Sequence, residues 1–149
     1  MKVKCINNCG SYPILVLPID KTKKFDVDNF VSSNEWVTIN SKTSEYCLTI
    51  GKEYLVYGVM IYQNATRFLV LNDQGIPYFM PSDLFQNNNI AICWDWEELH
   101  FFVNDIDYKI LTSTELISSY EDLISLISLD KNAFRRFLDY KKFINDYFI

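Results

Sequence analysis

Glu53-Tyr54-Leu55-Val56-Tyr57-Gly58-Val59-Met60-Ile61-Tyr62 is the stretch whose reading decides the fold. Only Glu53 carries charge, and the rest is rich in Val, Ile, Leu and Tyr, the residues that suit a pleated, half-buried surface. Polar residues do not alternate with apolar ones here, so a strand over 53–62 must be buried on both faces or strongly curved. Gly58 permits a sharp bend in its middle. Downstream, Gln63-Asn64-Ala65 reads as a hairpin turn leading to a strand over 67–72. Asn72-Asp73-Gln74-Gly75 is a second turn, from which 76–80 pairs back. Pro81-Ser82-Asp83-Leu84-Phe85 then reads as one helical turn, begun by proline and ending with Phe85 directed into the core. Residues 2–6 and 12–17 upstream, and 90–94 and 106–111 downstream, are further strand candidates.

Near residue 112 the period changes. Thr112 with Glu115, and Ser119 with Asp122, have the spacing of helix capping boxes. Tyr120, Leu123, Ile124 and Ile127 fall on one face of a helix. Asp130 is suited to cap a last helix that carries Phe134, Phe137, Leu138, Ile144 and Phe148 along one side. Tyr140, Phe143 and Tyr147 widen that face, as expected of a helix docked between the strands and the preceding helix, the alternative being an exposed aromatic rim for a partner. Residues 9–46 fit neither pattern. Lys21-Thr22-Lys23-Lys24 and Ser32-Ser33-Asn34 read as solvated loops of an insertion.

The chain has 149 residues, 49% apolar and 22% charged, enough for one domain with its own core. Fourteen Lys and Arg against nineteen Asp and Glu leave a net charge of −5, the wrong sign for a nucleic-acid or anionic-membrane surface. Neither a signal peptide nor an apolar run near the ~20 residues of a membrane span is present, so a cytoplasmic protein is expected. Cys5, Cys9, Cys47 and Cys93 are then expected to be reduced; Cys5 and Cys9 have an allowed zinc-ligand spacing, but Cys47 and Cys93 stand alone. His100 is the single histidine, and no Gly-x-Ser-x-Gly, phosphate loop or dinucleotide-binding glycine pattern occurs. The expectation is a protein without metal, cofactor or enzymatic activity. Asp95, Glu97 and Glu98 lie among Trp94 and Trp96, and Asp105 and Asp107 follow. These carboxylates suit a solvated acidic edge or a protein-binding patch better than paired acid–base catalysis.

Three segments taken together carry a resemblance: Lys2-Val3-Lys4-Cys5-Ile6-Asn7-Asn8, Leu48-Thr49-Ile50-Gly51-Lys52-Glu53-Tyr54-Leu55-Val56-Tyr57-Gly58, and residues 71–85, Leu-Asn-Asp-Gln-Gly-Ile-Pro-Tyr-Phe-Met-Pro-Ser-Asp-Leu-Phe. Their order resembles the small SH3-like β-barrel proteins of bacteria and phages, and more closely the immunity proteins of bacterial toxin–immunity systems. The resemblance implies a mainly β fold with α: an SH3-like antiparallel β-barrel over 1–111, with an insertion at about 9–46, and a helical tail over 112–149 packed on it as one unit. It also implies a non-enzymatic immunity protein, monomeric when free, that neutralises a cognate toxin domain by tight binding and occlusion. The alternatives are an SH3-like adaptor or phage-borne protein-binding module, and an uncharacterised carboxylate enzyme. If the toxin is basic, charge selects Asp95, Trp96, Glu97 and Glu98 as the partner-binding segment, with carboxylates to steer and a tryptophan to anchor. Tyr62, Tyr78 and Asp83, near strand or turn ends, are secondary contact candidates.

Overall fold

The computed structural model describes residues 2–10, 12, 15–18, 24–27, 30, 37–39, 44–86, 95–103 and 105–148. The strand candidate over 90–94, with Trp94 and Cys93, lies outside the described residues.

Two antiparallel sheets frame the core. The larger has five strands, β8 (Gly58–Tyr62), β9 (Ala65–Leu71), β10 (Pro77–Pro81), β12 (Trp96–Val103) and β13 (Ile106–Ser113), in the order β10-β9-β8-β13-β12. The smaller joins β1 (Lys2–Cys5), β7 (Glu53–Leu55) and β11 (Phe85–Gln86) in the order β11-β1-β7. The hairpin after β8 turns on Gln63 and Asn64, at φ 46° and 63°, so both central residues are left-handed as a two-residue turn requires. The next turn closes through Asn72, whose amide donates to the Ile76 carbonyl at 3.0 Å, with Gly75 at φ +77°.

The run over 53–62 is two strands rather than one. β7 pairs with β1, whereas β8 pairs with β9 and β13, so the chain steps from one sheet to the other at Val56 and Tyr57. Gly58 stands at that step because a Cβ there would meet the Thr112 Cβ and Oγ1 at 3.1 Å. Thr112 is therefore a strand residue, not a helix cap, and its hydroxyl donates to the Tyr57 carbonyl at 2.8 Å. The second step runs through the 3-10 turn Ser82–Leu84, which delivers the chain from β10 to β11. Leu84 and Phe85 are buried there, and the Leu84 carbonyl accepts from the amides of Ile6 and Asn7. Among the described residues no sheet closes on itself.

The region read as an insertion contributes strands and core, one strand overlapping the strand candidate over 12–17. β2 (Cys9–Gly10), β5 (Val37–Ile39) and β6 (Ser44–Tyr46) form one small sheet, and β3 (Val16–Pro18) pairs with β4 (Lys24–Asp26). Leu15, Leu17 and Val27 are wholly buried. Lys24 thus belongs to a strand, while 19–23 and 31–36 lie outside the described residues.

Two helices end the chain, α1 (Tyr120–Ile127) and α2 (Lys131–Phe148). Ser119 caps α1, its hydroxyl accepting from the Asp122 amide at 3.1 Å. Asp130 caps α2 by accepting from the amides of Asn132 and Ala133. The buried face of α2 is Ala133, Phe137, Tyr140 and Ile144. Leu138, expected on that face, is 42% exposed, because it lies about 100° per residue beyond Phe137 and so turns away from the core. Phe137 meets Tyr57 edge-on at 4.8 Å, where the chain steps between the sheets. No described helix is long and apolar enough to cross a membrane.

Candidate functional site

β12 and β13 form a hairpin of two eight-residue strands that pair in full, from Trp96 opposite Ser113 to Val103 opposite Ile106. Alternation along β12 turns Leu99 and Phe101 inward, where Phe101 meets Tyr120 edge-on at 5.6 Å. It turns Glu98, His100 and Phe102 outward.

On that outer face the charges form a cross-strand ladder. Lys109 Nζ lies 2.8 Å from Glu98 Oε1, and that bond holds the Glu98 carboxyl below its usual range. His100 sits between two carboxylates, with Nε2 3.3 Å from Glu98 and Nδ1 3.2 Å from Asp107. Glu97 and Asp105 are exposed nearby. Phe102, opposite Asp107, is 71% exposed, the most exposed of the large apolar side chains described.

The root of the hairpin is built differently. Asp95 is half-buried, and its Oδ2 accepts the Tyr140 hydroxyl at 2.8 Å, tying the start of β12 to α2. Burial, and then the bond to Asp95, push the Tyr140 phenol far above its usual value, so it remains a neutral donor. Trp96 is 8% exposed beside that phenol. The free chain therefore does not present the Trp96 ring to a partner.

The secondary candidates divide the same way. Tyr62 is buried and stacks on Tyr108 at 5.8 Å. Tyr78 is buried, stacks on Tyr46 at 6.4 Å, and its hydroxyl accepts from the Arg67 guanidinium at 3.2 Å. Asp83 is exposed, at the rim of a 260 Å³ cavity shared with Tyr12, Asn64 and Arg67. The structure thus brings Glu97, Glu98 and Asp83 to the surface and leaves three aromatic candidates inside. Phe102 was not singled out from the sequence. Its signal was the two-residue period that buries Leu99 and Phe101, legible only once 96–103 is known to be a strand. Among the described residues, no group of three His, Cys, Asp or Glu side chains is placed to hold a metal ion.

Comparison of the chain with protein-family models, with curated proteins and with solved structures found no match.

Proposed function

We propose that the chain is a protein-binding factor of the immunity type, which neutralises a basic toxin domain by covering it with the outer face of the β12–β13 hairpin. The observation that carries this reading is the exposed Phe102 set beside the outer-face carboxylates Glu98 and Asp107, with Asp105 at the hairpin turn and Glu97 exposed near its root. Long-range attraction from the carboxylates would speed encounter, and burial of one exposed ring would slow release. Phe102 takes the anchoring role that the sequence suggested for Trp96.

An SH3-like ancestry for the framework is part of the same proposal. Two features support it: a strand run bent between two sheets at Val56–Tyr57, and a 3-10 turn that carries β10 into β11. In this reading the β12–β13 hairpin is an addition, laid against the free edge of β8, that holds the barrel open. A peptide-binding adaptor remains the second reading, favoured by the same framework and without a toxin partner.

The experiment is protection of growth. If a toxin domain is encoded beside this chain, cells expressing that domain should survive when they also express the chain. Reversing Glu97 and Glu98 to Lys should slow association and flatten its salt dependence. Phe102→Ala should hasten dissociation. Each variant should melt as the parent does, since these side chains are exposed. Full protection with unchanged rates in all variants would move the interface elsewhere, and absence of any protection would favour the adaptor.

A further inference from the structure

A second site lies away from the hairpin, where β1, β7, the β9–β10 turn and α2 converge. A cavity of 450 Å³ opens there, lined by Lys2, Lys52 and Lys141 among others. Leu55, Leu71 and Tyr57 give it apolar walls. It contains three lysines and two carboxylates in a chain whose net charge is −5.

The two carboxylates are unequal. Asp73 is fully engaged: Oδ2 accepts from Thr49 at 2.6 Å, and Oδ1 accepts from Tyr54 at 2.7 Å and Lys52 at 3.0 Å. It anchors the wall and leaves little acceptor capacity for anything entering. Glu53 stands exposed at the rim and is the one acid that opposes an anion there. Among the described residues no ion pair engages Lys2 or Lys141, so two ammonium groups remain uncompensated.

Asn72 supplies the independent observation. It is only 4% exposed, and its Oδ1 accepts from the amides of Gln74 at 2.9 Å and Ile76 at 3.0 Å. Those two bonds fix which end of the side chain is oxygen. Nδ2 is left as a buried donor with no partner. Buried donors are ordinarily satisfied, and one left over in the wall of a cavity marks a place for an acceptor from outside. The Tyr57 hydroxyl adds a neutral donor, since burial pushes its pKa up to about 12. Every uncommitted polar group here except Glu53 therefore donates.

We infer that this cavity binds a small organic anion, a phosphate or carboxylate headgroup held by Lys2, Lys141 and Asn72 with an apolar or aromatic body against Leu55, Leu71 and Tyr57. The site is separate from the hairpin face and does not depend on the proposed toxin partner.

The test is an amide NMR titration of the full chain with four probes: phenyl phosphate, phenylacetate, inorganic phosphate and benzyl alcohol. Saturable shifts confined to amides around Lys2, Leu55, Asn72 and Gly75 are expected with phenyl phosphate or phenylacetate, and the tighter of the two identifies the headgroup. Inorganic phosphate should bind more weakly for want of a body, and benzyl alcohol should not shift these amides. Lys2→Gln with Lys141→Gln should raise the dissociation constant about a hundredfold, roughly tenfold for each of the two charge-assisted contacts removed, without changing the melt. Asn72→Asp keeps the acceptor for Gln74 and Ile76 while replacing the donor, and should also weaken binding. Shifts that do not saturate, that map elsewhere, that inorganic phosphate reproduces with equal affinity, or that persist undiminished in the double lysine variant would overturn the inference.

Discussion

Asp73 joins the turn before β7 to the β9–β10 turn through three side-chain donors. Burial alone would raise its carboxyl, but the bonds from Thr49, Tyr54 and Lys52 outweigh it and hold the pKa below the usual 3.8. A carboxyl depressed in the folded state contributes stability in full above its unfolded value, about 3.9, and loses it as pH falls through the folded one. Because Asp73 is exposed and solvent screens these bonds, Asp73→Asn should cost under about 1 kcal/mol at pH 7, and its gap from the parent should shrink below about pH 4. Urea unfolding at both pH values measures this, and a gap independent of pH would contradict it. Trp96 gives the opposite lesson about reading residues singly. Carboxylates on either side suggest a surface tryptophan, yet the ring is 8% exposed. Trp96→Ala should cost about 3–5 kcal/mol, as truncation of a buried aromatic does. Glu97→Lys, one position on, should leave the melt within about 0.5 kcal/mol. A Trp96 variant as stable as the parent would show the ring to be dispensable to the core.

At the scale of elements, legibility followed the strength of local signals. The β8–β9 hairpin, the Asn72–Gly75 turn, the proline-led 3-10 turn and the caps at Ser119 and Asp130 each rest on a few adjacent residues, and each stands where the sequence put it. β12 was not legible, because Trp96 and Phe102 fall off the two-residue row of 99, 101 and 103 and blur its period. The strands within 9–46 have two or three described residues each, too few to display any period. The step between sheets was half legible: Gly58 announced a bend, but its need for close approach to Thr112 is a contact between distant residues. That contact is testable. Thr112→Val keeps the shape and removes the donor to the Tyr57 carbonyl, which should cost about 1–2 kcal/mol. Gly58→Val should cost more than that, because the new side chain has no room against β13. Equal melting of both variants with the parent would mean that the step does not depend on this packing.

For the whole molecule, the decisive element is α2, which the sequence suggested as a tail and which the core treats as a wall. Phe137 is wholly buried against Tyr57 at the step between the sheets, and Tyr140 bonds Asp95 at the root of the hairpin. Lys141, on the same helix, lines the cavity beside β1 and β7. One helix thus touches the small sheet's neighbourhood, the step and the base of the large hairpin, so its loss would uncover apolar surface in all three at once. A helix that merely decorated a finished barrel could be removed at little cost. Here, a chain ending at Asp130 should lose its cooperative transition, and Phe137→Ala in the full chain should lower stability by about 3–5 kcal/mol. The full chain should unfold in urea in one transition, with tryptophan fluorescence and far-ultraviolet circular dichroism giving the same midpoint. With Trp36 and Trp94 replaced by Phe, Trp96 reports from the hairpin root and the dichroism largely from the helices, so coincidence of the two signals means that the strands and α2 come apart together. Separate midpoints, or a shortened chain that unfolds at the parent's urea concentration, would make α2 an independent appendage after all.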